Sequence, residues 1–366
     1  MFNPIYLSEG LRMFRRARRV KKQGIHEYEG NAQEICQQII NDCWNGSYFQ
    51  ASTGHFCQFW TRDFGWCVES LLQLGYREKV TKTLDYALST FRKHNNITTA
   101  ISPDGIPFDF PTYAVDSVPY IVRGLRLTKD DSLLEKYRDF LNQEIQKFCS
   151  KVLHAKTGLV KNKHFSSMKD HAIRNSSCYD NTMVAMLNQD LKKIHALENP
   201  LVQYDLERKI MDSFWRDTHF IDDLSGKDII TGDANVFPFW TGVITSRAML
   251  NSVIKKITEL ELDKPFPLRY YHTKFIQQKM HPVELFSKGY ERDTVWMHMG
   301  PLYIKTVRKV HAKLAQEYLS RYTKLIEQYH TYLEVFNSDG TPFKTYFYHA
   351  DEGMLWSSIY LELVKK

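Results

Sequence analysis

Two periodicities, one laid over the other, restrict the fold most. Apolar residues recur at helical spacing. Val80, Leu84, Leu88 and Phe91 fall at i, i+4, i+8 and i+11, as do Met183, Leu187, Leu191 and Ile194, and again Leu314, Tyr318, Tyr322 and Leu325. Each set makes one apolar stripe on a helix. Strand signals are few and short. Clusters such as Pro103-Asp104-Gly105, Lys156-Thr157-Gly158, Gly232-Asp233 and Ser338-Asp339-Gly340 separate the helical stretches. The spacing predicts about twelve helices, over 31–45, 62–74, 76–95, 111–128, 130–153, 179–197, 200–217, 236–249, 250–260, 291–309, 311–331 and 352–365.

Every other helix opens on an aromatic-rich polar segment. These are Trp60-Thr61-Arg62-Asp63, Phe110-Pro111-Thr112-Tyr113, Cys178-Tyr179-Asp180-Asn181, Asp233-Ala234-Asn235-Val236-Phe237, Tyr290-Glu291-Arg292-Asp293 and Tyr348-His349-Ala350-Asp351-Glu352. They recur about every 50–70 residues, near the range of internal structural repeats. Six αα-hairpins with decorated inner-helix starts predict an all-α (α/α)6 barrel whose decorated ends meet at one mouth. Helix N-termini carry partial positive charge and free N–H groups, so carboxylates are favoured there. The competing arrangement is an open solenoid with Asp-rich caps, which does not need large aromatics beside each cap.

The segment Phe59-Trp60-Thr61-Arg62-Asp63-Phe64-Gly65-Trp66 brackets a charged pair with four rings. Rings stack on the C–H faces of a pyranose, while Arg and Asp serve its hydroxyls as donor and acceptor. A helix start with a capping Asp and buried aromatics has the same look.

With 366 residues, 43% hydrophobic and 25% charged, the chain has an ordinary globular balance, but 14% aromatic residues is high. The net charge of +7 gathers in Arg12, Arg15, Arg16, Arg18, Arg19, Lys21 and Lys22. No nucleic-acid motif accompanies that run, so a solvated arm or helix face over residues 1–30 is expected. Residues 31–366 are expected to form one barrel, since no linker composition interrupts them. The 6 Cys form no Cys-x-x-Cys pair and no zinc spacing, which suits free thiols in a reducing compartment. No apolar signal segment opens the sequence and no stretch is long enough to span a membrane. The expectation is a cytoplasmic protein without membrane, nucleic-acid, metal or cofactor dependence. Neither a Gly-x-Gly-x-x-Gly after a strand nor a Walker A sequence occurs.

The ordered segments resemble those of the six-hairpin glycosidases, the group of glucoamylases, trehalases and processing α-glucosidases. The resemblance runs over about residues 45–366. Trp60-Thr61-Arg62-Asp63 resembles a Trp-x-Arg-Asp segment that grips the non-reducing sugar. Ser177-Cys178-Tyr179-Asp180-Asn181 is similar to Ser-Gly-x-Asp-(Asn/Asp), which implies Asp180 as general acid. Phe237-Pro238-Phe239-Trp240-Thr241-Gly242 is similar to Pro-Leu-Trp-Ala-Gly. Arg292-Asp293-Thr294-Val295-Trp296 resembles Arg-Gly-Pro-Val-Trp, a sugar-binding element. Glu334-Val335-Phe336-Asn337 with Asp339-Gly340 resembles Glu-x-Tyr-Asp…Gly, which implies Glu334 as catalytic base. Glu352-Gly353-Met354-Leu355-Trp356 resembles Glu-Gly-Phe-Gly-Trp. Two departures fall at the sugar site: Asn175-Ser176-Ser177-Cys178 where Glu-Ser-Gly is usual, and Asp293-Thr294 where Gly-Pro is usual.

The resemblance therefore implies an inverting hydrolase of a small, α-glucosidic oligosaccharide or glycoside. Asp180 would act as acid and Glu334 as base, with Glu352 as a rival base. Trp60, Arg62, Asp63, Tyr179, Asn181, Asn235, Trp240, Arg292, Trp296, Glu352 and Trp356 are expected to bind substrate. Glycoside hydrolysis needs two carboxyls flanking the bond, and both should face one pocket. A sugar epimerase or isomerase using His298 and His349 is the alternative on the same barrel. A non-catalytic carbohydrate-binding protein is the alternative from another class.

Overall fold

The computed structural model describes residues 4–272 and 279–365. The first three residues of the expected N-terminal arm, and Lys366, lie outside that range. The inner helices are α3 (Thr61–Gln73), α5 (Ser117–Thr128), α7 (Cys178–Leu191), α9 (Gly232–Trp240), α11 (Met299–Arg308) and α13 (Ser357–Lys365). Each packs on the next, and α13 packs back on α3, so the ring closes. The outer helices are α2 (Ala32–Asp42), α4 (Arg77–His94), α6 (Asp131–Val152), α8 (Leu206–Phe214), α10 (Arg247–Glu259) and α12 (Ala312–Tyr329). The expected (α/α)6 barrel is the observed fold, and the open solenoid is excluded by the α13–α3 contact. Among the described residues no helix is long and apolar enough to cross a membrane.

The apolar stripes face the space between the two rings, where Val80, Leu84, Leu88 and Phe91 are fully buried. Helix boundaries move where a decorated segment stays irregular. The stretches 111–128, 291–309 and 352–365 become helical only at Ser117, Met299 and Ser357. The preceding residues form mouth loops and short strands instead. Antiparallel β1 (Phe59–Trp60), β2 (Ala100–Ile101) and β3 (Pro107–Phe108) make one rim. β4 (Trp215–Arg216) pairs with β5 (His219–Phe220). β6 (Val295–Trp296) pairs with β7 (Val335–Phe336), Trp296 opposite Val335.

A thirteenth helix, α1 (Pro4–Gln23), carries the basic run. It is not simply solvated. Arg16 is buried and its guanidinium pairs with Asp351 and Glu352, while Arg15, Arg18 and Arg19 remain exposed. The hydrophobic face of α1 lies over the barrel mouth.

Inner helices cross closely where a small residue allows it. A Cβ added at Gly65 of α3 would lie 2.5 Å from the Tyr120 ring on α5. Tyr120 is held there by the Trp66 indole N–H, which donates to its hydroxyl at 2.7 Å. Gly65→Ala is therefore expected to destabilise the fold by about 1–3 kcal/mol through overpacking. Urea unfolding measures this, and an unchanged midpoint would contradict a rigid α3–α5 crossing.

Candidate active site

A cavity of about 480 Å³ opens at the mouth, beneath α1. This is within the usual range for a small-molecule site. Of the residues expected to bind substrate or to act, Trp60, Arg62, Asp63, Trp296, Glu334 and Trp356 line it. The strand pair β6–β7 sets two of them side by side. Glu334 directly precedes β7, its carbonyl accepts from Met297 N–H at 3.1 Å, and its own N–H donates to Asp351 at 3.0 Å. Its backbone is thus fixed on both sides, and it does not end a helix, since α12 stops at Tyr329.

Glu334 is only 1% exposed, yet it lines the cavity. Tyr290 donates to one oxygen. Tyr348 donates to the other at 2.6 Å, and Asp351 N–H donates to the same oxygen at 2.9 Å. Burial pushes its pKa up, the Asp351 charge adds to that, and the three donors pull back, leaving it at about 7.

Three more carboxyls share the wall. Asp63, in the first turn of α3, accepts from the Trp356 indole at 3.0 Å and makes no cap. Burial raises it to about 6 against the pull of Arg62 and Trp356. Asp170 pairs with Arg62 at 3.1 Å and its side chain is 16% exposed. Burial raises it to about 6 as well, Arg62 lowering and Glu291 raising it. Glu291 accepts the backbone N–H groups of Asp170, His171 and Ala172 at 2.6, 2.8 and 3.1 Å, and so fixes that loop. Trp66 stacks on His298 with ring centroids 4.3 Å apart. Burial first, then Arg62, hold His298 well below the usual histidine range, so its ring is neutral.

Several sequence-expected residues lie off the wall. Asp180 is 5% exposed and does not line the cavity. It stands beside Ser167, Ser177 and Arg174, and burial raises it to about 6 against their pull. The loop containing Ser167 and Arg174 presents Met168, Asp170 and His171 to the cavity instead. Of the expected acid and base, Glu334 thus lines this cavity and Asp180 does not. Tyr179 is fully buried, its hydroxyl donating to Asp116 at 2.9 Å. Asn181 serves Val160 N–H, Ser176 and the Ser177 carbonyl. Asn235 bonds Phe220 and Thr231 backbone groups. Trp240, at the far end of α9, lies under Arg123 at 4.8 Å. Arg292 pairs with Glu284. Glu352 is taken up by Arg16 and Arg19 rather than by the cavity. In each case the polar group completes local structure, which a helix start demands as strongly as a ligand does. Of the alternative histidines, His298 lines the cavity and His349 does not.

Asp170 and His171 carry no periodic signal in the sequence because they sit in an aperiodic loop. Tyr290, Glu291 and Tyr348 fall in the decorated starts, and that recurrence was their only signal. The loop itself is locked by a buried network. Lys169 pairs with Asp233 at 3.1 Å and Asp222 at 3.4 Å, and Arg174 pairs with Asp233 at 2.8 Å.

No family model matches the chain, and no curated protein matches its sequence. Solved structures do share its fold. A rhamnosidase from Klebsiella oxytoca with rhamnose bound aligns with TM-score 0.64 at 11% identity, over 93% of this chain and 65% of its own. A glycosidase in complex with glucose aligns with TM-score 0.64 at 12% identity, over 98% of this chain and 97% of its own. A mannosylglycerate hydrolase from Thermus thermophilus aligns with TM-score 0.62 at 13% identity, over 92% and 100%. The chain thus spans about two thirds of the rhamnosidase and nearly all of the two others. The fold is one these glycosidases share.

The raised carboxyls oppose folding once ionised. A pKa raised from 4.5 to about 7 means that the Glu334 contribution is full below about pH 4.5 and is lost as pH rises through about 7. Glu334→Gln removes that loss. Its melting temperature relative to the unmodified protein should be higher at pH 8 than at pH 5. A difference independent of pH would contradict a buried, ionising Glu334.

Proposed function

We propose that the protein is a glycoside hydrolase, with Glu334 as the base that activates water. The observation that carries this reading is Glu334 itself. A carboxyl with fixed oxygens, poised near neutrality, sits on a cavity wall that Trp60, Trp296 and Trp356 also line. Arg62 and Asp63 stand where they can hold sugar hydroxyls. Solved glycosidases with the same fold support this reading.

The acid is assigned to Asp170, because its side chain reaches the cavity. Asp170 would give its proton to the glycosidic oxygen as the C–O bond breaks, and the aglycone leaves as an alcohol. Water would attack the anomeric carbon from the other face and pass its proton to Glu334. That course inverts the anomeric centre and requires carboxyls roughly 6.5–9.5 Å apart. An α-glucosidic substrate is the starting proposal, following the six-hairpin resemblance. The second reading keeps Asp180 as acid. One of its carboxylate oxygens is buried without a hydrogen-bond partner among the described residues, which suits a group awaiting one.

A screen of p-nitrophenyl glycosides and α-linked disaccharides, with the product anomer read by NMR, tests the activity. Glu334→Gln should lower kcat by about 10²–10⁴-fold. Asp170→Asn should do the same for alkyl glycosides but far less for a dinitrophenyl glycoside, whose leaving group needs no proton. Asp180→Asn should cost less than tenfold. If Asp180→Asn shows the leaving-group pattern and Asp170→Asn does not, the acid is Asp180.

Activity needs the aspartic acid protonated and Glu334 ionised. With the former at about 6 and the latter at about 7, kcat/KM should be a narrow bell peaking between those values. It falls on the acid side as Glu334 gains its proton and on the alkaline side as the aspartate loses its own. A plateau extending above pH 8 would contradict the assignment.

A further inference from the structure

The cavity has two chemically different ends. The inner end holds Arg62, Asp63, Asp170, Glu291 and Glu334 among tryptophan faces. The outer end lies between α1 and the β1–β3 rim. There a small apolar cluster, separate from the main core, is built on Ala51, Trp60, Ala100 and Phe108, with Tyr6, Phe56 and Phe110 packed against it. Phe110 joins the two ends, with its ring 5.5 Å from Tyr6 and 6.5 Å from His171. Across from it, Met13 and Phe14 of α1 complete the lining, and Phe14 sits 6.0 Å from Phe347.

Polar atoms at this end are turned toward protein partners. The Tyr6 hydroxyl donates to the Asp109 carbonyl at 2.6 Å. The Trp60 indole N–H donates to Gln58 at 3.2 Å. The Glu9 carboxylate is engaged by Arg12 and Gln58. A second sugar ring here would bury its hydroxyls against hydrocarbon, which costs each one its hydrogen bonds to water. A hydrocarbon group loses nothing and gains burial.

We propose that the outer end is an aglycone site for an apolar, alkyl- or aryl-type leaving group, so that the substrate is an amphiphilic glycoside rather than an oligosaccharide. This rests on the glycosidase reading, since it places the sugar at the inner end. α1 then serves as the outer wall of the site. Its attachment through buried Arg16 holds the apolar face in position.

The test uses the full chain carrying Glu334→Gln, so that binding is read without turnover. Calorimetry compares methyl α-glucoside, octyl α-glucoside below its micelle concentration, and maltose. The octyl glucoside should bind at least tenfold more tightly than the methyl one, which corresponds to burial of about two methylene groups. Maltose should show no such gain. Phe14→Ser and Phe110→Ser, checked for unchanged melting temperature, should each reduce the octyl-to-methyl ratio at least threefold. Equal affinity for the octyl and methyl glucosides, or a maltose gain above the octyl gain, overturns the proposal. An octyl preference that survives Phe14→Ser and Phe110→Ser overturns it too. If the preference holds and vanishes in those variants while the unmodified protein cleaves no glycoside, the hydrolase reading fails and the apolar site stands.

Discussion

Arg16 is the residue on which the mouth of this barrel depends. It lies buried between two buried carboxylates, its Nε 2.9 Å from Asp351 and its guanidinium also against Glu352. It further donates to the His349 and Ala350 carbonyls at 2.8 and 3.1 Å. A buried ion pair adds little net stability, but leaving one partner alone costs about 3–5 kcal/mol. The arrangement therefore acts as a latch more than as a source of stability. It ties the first helix to the segment that opens the last hairpin's inner helix. Asp351 is also the hub of the loop at 52–56, accepting from Ser52 and from the His55 and Phe56 N–H groups. Its own N–H donates to Glu334. One cation thus ties α1, the loop at 52–56 and the proposed base together.

Within the cavity, burial outweighs pairing for most carboxyls. Asp63 and Asp170 both face Arg62, yet each is raised to about 6. Asp233 shows the opposite balance. Burial pushes it up, but Lys169 and Arg174 more than offset this and bring it to about 2. The difference lies in partner number. Asp233 has two close cations, at 3.1 and 2.8 Å, which it shares with Asp222, whereas the single Arg62 is divided among Asp170, Asp116 and Asp63. Carboxyls near neutrality are what acid–base chemistry needs, while Asp233 stays ionised and holds the loop.

The barrel was legible because closure follows from repetition. Six apolar hairpins with marked starts leave few ways to bury every stripe, and the α13–α3 contact completes the ring. The inner wall was legible in part. Trp60, Arg62, Asp63, Trp296, Glu334 and Trp356 reach the cavity as their segments implied. Asn181, Asn235 and Tyr179 did not, because a polar residue at a helix start reads alike whether it completes backbone bonding or meets a ligand. Glu352 stays off the cavity wall for a different reason. Its partner Arg16 lies at the opposite end of the sequence, inside a basic run whose neighbours are exposed. No local pattern distinguishes the one buried arginine from the others.

Asp170 raises the sharpest question about reading chemistry from motifs. The acid segment departs from its usual pattern over Asn175-Ser176-Ser177-Cys178. In the fold those residues are committed to structure. Asn175 N–H donates to Asp223 at 2.7 Å, and the Ser177 hydroxyl accepts from Asp180 N–H at 3.0 Å as the cap of α7. Asp180 and Asp170 end with matching surroundings, each beside one arginine, each raised to about 6. What separates them is access. The loop held by Lys169 and Arg174 stands on the cavity side and carries Asp170 with it. A carboxyl of suitable acidity is therefore available at the wall without the motif position being exposed. The motif keeps its place at the start of α7, while the neighbouring loop determines which carboxyl lines the cavity.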